Sequence, residues 1–355
     1  MRTLSIESSR VSASFTRGVG RLVLQRPEAL NALDLGMVRG LRDALEAWRG
    51  EPDVDRILLE GAGDRGLCAG GDVRGLAESI VSGNAESAGS FFREEYALNA
   101  AIAEYPKPIV VFADGVTMGG GIGLAGHAAV RIVTERSALA MPETRIGFTP
   151  DVGGTWLLAR APGRLGEYLA LTGGSMSAAD AIDAGFADLL VPSERLDAVR
   201  EALESRADPG GATEVAMLFD ESPEPSTLAR HRAWIDPSFA ADDVAGIIAA
   251  LRERPEPEAS ATAELLETLS PTALTVTLAS VRAARSDPDL RASLEREYGL
   301  AMWFAHTQPD LPEGVRARLI DKDGTPHWRP ASLAELPPDV AAQALAFRPE
   351  VPLWS

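Results

Sequence analysis

Apolar and polar residues alternate over residues 11–15 and 21–25, with R-G-V-G between them, so the chain opens on two strands joined by a turn. Asp34 then heads a stripe of Leu35, Val38, Leu41 and Leu45, whose spacings of three and four predict a helix to about residue 48. A short apolar strand over 55–60 ends in G-A-G, and L-C-A-G-G-D-V-R at 67–74 is too glycine-rich for the interior of an element. The pattern continues with a helix over 91–103, a buried strand over 108–113 and a glycine-rich stretch at 114–126 that opens into a helix. Short strands follow over 131–134 and 138–141, then helices near 152–160, 164–172 and 178–184, a strand over 186–191 and a helix from Ser193. Short strands alternating with helices imply an α/β core with right-handed crossovers over residues 1–205.

Beyond residue 205 the texture changes. D-P-G-G, E-S-P-E-P-S and R-P-E-P-E are acidic, proline-rich joints between helical patterns. Ser270-Pro271 is a helix start, since Ser caps and Pro tolerates the first turn. Residues 287–306 form a helix with Leu290, Leu294, Tyr298 and Met302 on one face. Residues 206–355 are therefore expected to be a mostly helical region packed on the core.

Composition narrows the functional classes. With 45% apolar and 24% charged residues, the chain of 355 residues has the make-up of an ordinary globule with a sizeable core. No apolar run approaches the roughly 18 residues of a membrane span. The first ten residues lack an apolar signal core, and a single cysteine, Cys68, suits a reducing compartment, so a cytoplasmic location is expected. A net charge of −18 disfavours nucleic-acid partners. The only lysines are Lys107 and Lys322, in P-K-P and D-K-D-G, which argues against Schiff-base chemistry, and the four histidines are too dispersed for a metal site.

Candidate chemistry concentrates in A-M-P-E-T-R-I-G-F-T-P-D-V-G-G, residues 140–154. It holds Glu143 and Asp151 in a run otherwise made mostly of apolar and turn-forming residues. Along a straight strand the two acids would stand roughly 26 Å apart, but Gly147 and Pro150 invite a bend that could turn both into one pocket. Carboxylates in apolar surroundings serve as general bases or nucleophiles; the competing reading makes Glu143 a solvated turn residue and Asp151 a helix cap. Gly121-Ile-Gly123-Leu-Ala-Gly126 fits a dinucleotide fingerprint, yet five residues, Asp114–Met118, separate the strand from the run of glycines that begins at Gly119. The glycines of 119–121 and 70–71 expose backbone N–H groups instead, and two such donors converging on one point would make an oxyanion hole.

The order G-A-G…C-A-G-G-D, P-K-P…G-x-x-M-G-G-G, then M-P-E-T-x-I-G-x-x-P-D-V-G-G resembles the crotonase (enoyl-CoA hydratase/isomerase) superfamily, whose members act on acyl-coenzyme A thioesters. F-F-R-E-E-Y at 91–96, L-A-L-T-G at 169–173, L-S-P-T-A-L at 269–274 and E-G-V-R-A-R-L-I-D-K-D at 313–323 are similar to the branch that hydrolyses 3-hydroxyisobutyryl-CoA in valine degradation. The resemblance implies a crotonase-like core of repeated ββα units with a helical C-terminal extension. It places the thioester carbonyl on the N–H groups of Gly71 and Gly120. Glu143 corresponds to the second glutamate of the superfamily's hydratases, and Gly123 stands where their first would be. Glu143 would therefore attack the thioester or activate water, Asp151 would bind the substrate's 3-hydroxyl, and Glu95 would contact substrate. Arg26 and Arg74 are candidates for the coenzyme's phosphates. No cofactor or metal is expected beyond the coenzyme A of the substrate, and homo-oligomers are common in the superfamily. The alternatives are an enoyl-CoA isomerase or hydratase of the same superfamily and a non-catalytic binding member.

Overall fold

A computed structural model describes residues 2–4, 10–205 and 211–354. The Arg206 to Gly210 part of the joint, where the sequence texture changes, and most of the N-terminal ten residues lie outside that description. The chain folds as two compact units interleaved in sequence. One comprises Met1–Gly71, Ala97–Leu139 and Met176–Ser226; the other comprises Asp72–Tyr96, Ala140–Ser175 and Thr227–Ser355. Texture divides the chain at residue 205, whereas compactness follows which segments pack together.

The first unit is built on strands β1 (Arg2–Leu4), β2 (Val11–Thr16), β3 (Gly18–Leu24), β4 (Val54–Gly61), β5 (Gly66–Cys68), β6 (Ile109–Ala113), β7 (Val116–Met118), β8 (Val130–Val133), β9 (Ala138–Ala140) and β10 (Leu189–Leu190). Seven of them form one sheet in the order β1-β2-β3-β4-β6-β8-β10. Antiparallel pairing joins β1, β2 and β3, and every pairing from β3 to β10 is parallel. The central β6 is buried at all five positions, the continuous apolar pattern of a strand covered on both faces. On one face Val19, Leu58, Val110, Phe112 and Ile132 pack against Val199, Leu203, Val215 and Ala216 of two helices. The Leu35–Arg49 helix contacts β2 and β3 and buries Val38, Leu41, Leu45 and Trp48. Asp34 caps it through Met37 N–H at 2.9 Å, and Lys107 Nζ donates to the Trp48 and Glu51 carbonyls at its other end. A second sheet, β5-β7-β9, carries the glycine loops.

The second unit is mainly helical. Its Pro271–Ala284 helix is buried along most of its length and packs on the Gly154–Arg160 and Leu165–Thr172 helices, so the C-terminal helices sit on helices from the chain's first half. Phe92 stacks on Phe148 with centroids 5.9 Å apart, and Phe148 meets Phe304 edge-on at 5.4 Å. Several local expectations change: β5 and β7 form in stretches read as glycine-rich, and β10 takes up only Leu189–Leu190 of the strand foreseen over 186–191. The loop foreseen to residue 74 gives way at Val73 to a helix, Val73–Val81, and the helix foreseen from residue 91 begins at Ala85. Among the described residues no helix is long and apolar enough to cross a membrane.

Candidate active site

The M-P-E-T-R-I-G segment is bent, not extended. Residues Glu143–Ile146 form one tight helical turn, closed by Gly147 at φ 71°. A side chain on Gly147 would meet the Asp310 carbonyl oxygen at 2.5 Å, so glycine serves there for both conformation and space. Glu143 and Asp151 are each only 7% exposed and Glu95 only 2%, and all three belong to the same compact unit. The solvated-turn reading of Glu143 therefore fails. So does the helix-cap reading of Asp151: Gly153 occupies the cap of the Gly154–Arg160 helix, and Asp151 Oδ2 accepts from Tyr96 Oη at 2.7 Å.

Burial sets the electrostatics. It pushes Asp151 up to about 7, against the hydrogen bond from Tyr96, which favours the ionised carboxylate. Glu143 is held well above the usual carboxylate range, first by burial and then by the charge of Asp151, with Glu297 and Glu95 adding smaller pushes. Glu95 is raised by burial and then by the Asp151 charge. Glu143 Oε2 and Glu95 Oε1 are buried and have no hydrogen-bond partner among the described residues. Like charges in an apolar setting resist simultaneous ionisation, so burial and mutual repulsion both favour the protonated forms of this cluster. This is the environment in which a carboxylate becomes a base or nucleophile.

Two members of the cluster escaped the sequence reading. Tyr96 follows Glu95 directly and lies edge-on to Tyr298 at 6.3 Å; it is four residues beyond Phe92, on the same helical stripe. Glu297 is fully buried on the Leu290–Thr307 helix and accepts from Gly153 N–H at 2.6 Å and Thr155 N–H at 2.9 Å. The available signal was its position three residues after Leu294, which puts an acid on the face read as apolar.

The glycine loops meet within the other unit. Leu33 N–H donates to the Gly70 carbonyl at 2.8 Å and Ala69 N–H to that of Leu30 at 2.9 Å, which hold the 69–71 loop beside residues 30–33. The Gly120–Ala125 helix makes its first internal bonds from Ile122 and Gly123 to the Gly119 carbonyl, so the N–H groups of Gly120 and Gly121 precede its ladder. Gly70 and Gly120 are close: a Cβ on Gly70 would lie 3.7 Å from Gly120 N. Cys68 is buried, with its sulfur bonded to the Gly70 N–H and carbonyl, and it packs the loop rather than presenting a nucleophile. Arg74 is committed to the Leu319 carbonyl at 2.7 Å, and Arg26 Nη1 to that of Ala32 at 3.1 Å.

A model of the enoyl-CoA hydratase/isomerase family matches residues 19–345. The chain belongs to that family. A rat (Rattus norvegicus) family relative named 3-hydroxyisobutyryl-CoA hydrolase, mitochondrial, is 41% identical over 325 residues, spanning 89% of this chain and 83% of the relative. A carnitinyl-CoA dehydratase from Mycobacterium thermoresistibile has a solved structure that superposes with a TM-score of 0.91 at 45% identity, over 97% of this chain and 98% of that one. An enoyl-CoA hydratase from Rhodobacter sphaeroides gives 0.89 at 41% identity, over 95% and 97%. Membership of the enoyl-CoA hydratase/isomerase family agrees with both the α/β class and the resemblance read from the glycine and M-P-E-T motifs.

Proposed function

We propose that the protein hydrolyses the thioester of a short branched 3-hydroxyacyl-CoA, with 3-hydroxyisobutyryl-CoA as the reference substrate. The observation that carries this reading is Glu143, buried with a carboxylate oxygen that has no hydrogen-bond partner among the described residues, together with Gly123, which by the family resemblance stands where a hydratase has its first glutamate. The Gly120–Ala125 helix, G-G-I-G-L-A, holds no acid at all. Adding water across a double bond calls for an acid on each side, whereas thioester cleavage needs one carboxylate and a place for the oxyanion. The name of the rat relative supports the same reading.

In this proposal the carbonyl oxygen accepts from the N–H groups of Gly71 and Gly120. Glu143 either attacks the carbonyl carbon, expelling the thiolate and leaving a mixed anhydride that water opens, or takes a proton from the attacking water. Both routes end in the free acid and coenzyme A. The ionised Asp151 accepts from the 3-hydroxyl, and Glu95 contacts the substrate beside it. No cofactor is invoked, since hydrolysis transfers no electrons, and residues 1–205 are proposed to carry the acyl-CoA site, with 206–355 as its helical buttress. Homo-oligomer formation is proposed from the family resemblance and is read by light scattering. The cytoplasmic location rests on the first ten residues and the single cysteine, and the rat relative's mitochondrial name does not support it.

The test is incubation with 3-hydroxyisobutyryl-CoA and, separately, crotonyl-CoA, with products resolved by chromatography. Release of coenzyme A from the first and no change in the second is the expected result. The hydratase and dehydratase names of the two solved relatives favour the competing reading. Conversion of crotonyl-CoA without thioester cleavage would establish that reading instead.

Tyr96→Phe provides a finer check. It removes the hydrogen bond that favours ionised Asp151, so the Asp151 pKa moves above its value of about 7. Activity that needs ionised Asp151 then rises at higher pH than in the wild type. The kcat/KM profile for the hydroxylated thioester should show its acid limb displaced upward; an unmoved limb would remove Asp151 from that role.

A further inference from the structure

We propose that Glu297 is a positioning residue for Asp151: its carboxylate holds the left-handed turn at Val152 and Gly153 that aims Asp151 at Tyr96. The inference deepens the function proposed above and rests on its reading of Asp151 as the group that binds the 3-hydroxyl. Val152 sits at φ 54° and Gly153 at φ 78°. Glycine takes such a conformation freely, but a β-branched residue does so only where its surroundings force it. Val152 is also buried, so its side chain cannot swing into solvent to relieve the crowding.

The surroundings that force it are visible. Glu297 Oε2 accepts from Gly153 N–H at 2.6 Å, and Oε1 accepts from Thr155 N–H at 2.9 Å and from the Thr155 hydroxyl. Both carboxylate oxygens thus grip the turn that follows Asp151. Arg296 fixes the direction of the hydroxyl bond: its Nη2 donates to Thr155 Oγ1 at 3.2 Å, while Nη1 pairs with Asp287 at 2.6 Å. Thr155 Oγ1 therefore accepts from Arg296 and gives its own proton to Glu297. Three donors converge on two oxygens, an arrangement that only the ionised acid satisfies in full. A glutamine here would turn an NH2 group toward one of these donors and lose at least one bond. Burial opposes this charge and pushes Glu297 up to about 7, against the bonds from Thr155 and Gly153 and the nearby Arg296 charge, which favour the ionised acid. Simple core packing gives no reason to keep it; gripping a strained turn does.

The experiment measures kcat/KM for 3-hydroxyisobutyryl-CoA and for isobutyryl-CoA, which lacks the hydroxyl. Wild type, Glu297→Gln, Val152→Gly and the double variant are compared. Glu297→Gln should cut the preference for the hydroxylated thioester by about tenfold, the effect of one misaligned hydrogen bond to a charged group. The double variant should regain most of that preference, since glycine adopts the turn without the grip. A purely structural Glu297 would lower both thioesters together, leave their ratio unchanged and show no rescue by Val152→Gly; that result overturns the proposal.

A second readout is independent of turnover. In Glu297→Gln the Asp151 carboxyl resonance, identified by its loss in Asp151→Asn, should titrate at higher pH because the turn no longer delivers Asp151 to Tyr96. An unchanged midpoint overturns the proposal, even if wild-type enzyme hydrolyses neither thioester and the functional reading alone has failed. Should Glu297→Gln not fold, Thr155→Val removes one of the grip's bonds and must shift ratio and midpoint in the same direction by a smaller amount.

Discussion

Glu143→Gln lowers kcat for thioester hydrolysis by about 10³-fold or more, leaves thioester binding largely intact and raises thermal stability at about pH 8. The kinetic part follows from the role: glutamine keeps the shape of the side chain but neither attacks a carbonyl nor takes a proton from water. The stability part follows from linkage. Glu143 is raised in the folded protein, so its contribution to stability is fully present below its unfolded pKa and is lost as pH rises through the folded value. Above that value the fold carries a buried charge beside Asp151 that the unfolded chain keeps in water. Asp151 and Glu297, each pushed up to about 7, act with the same sign, so wild-type Tm should be higher near pH 5.5 than near pH 8 through these groups. In Glu143→Gln that difference narrows. A variant that lost activity and also melted lower at about pH 8 would have damaged the fold instead, and one that kept substantial activity would remove Glu143 from the mechanism.

Gly121→Ala is the second large effect: kcat falls by about 10²-fold or more, the cost of misplacing an oxyanion donor, and the protein is destabilised. A Cβ on Gly121 would stand 2.3 Å from the Cys68 carbonyl oxygen and 3.1 Å from its carbon. Both are backbone atoms, so no rotamer change relieves the clash; the β5 loop and the start of the Gly120–Ala125 helix must separate. Two opposing effects can be weighed. Alanine gains about 1 kcal/mol over glycine within a helix, while overpacking in a tight interior costs about 1–3 kcal/mol. A 2.3 Å approach to backbone belongs at the upper end of that range, so sterics win. Urea unfolding and kcat measured on the same preparation check this. Unchanged activity would show that the distance between the two glycine loops does not matter for the reaction.

The main-sheet strands β2, β3, β4, β6 and β8, the capped helices and the candidate acids could be read from the chain itself because each is a local property. The alternation over β2 and β3, the uninterrupted apolar run of β6, and the caps Asp34 and Ser270 need only neighbours in sequence. Glu143 and Asp151 were nameable for a similar reason: they stand out as acids in a short motif bounded by glycine and proline, whereas Glu95 was named only through the family resemblance. The helix at Val73–Val81 was hidden because it starts immediately after a glycine-rich loop, where propensity is a poor guide. What the chain alone determined is therefore which groups are chemically available and where the backbone can bend. Only the tertiary structure decided that Tyr96 meets Asp151 across 55 positions, that Glu297 grips the turn at Gly153 across 144, and that Cys68 leaves no room for a side chain on Gly121. These contacts carry no local signature. A buried acid on an apolar helix face looks like an interruption until the donors that satisfy it are brought to it, and only folding does that.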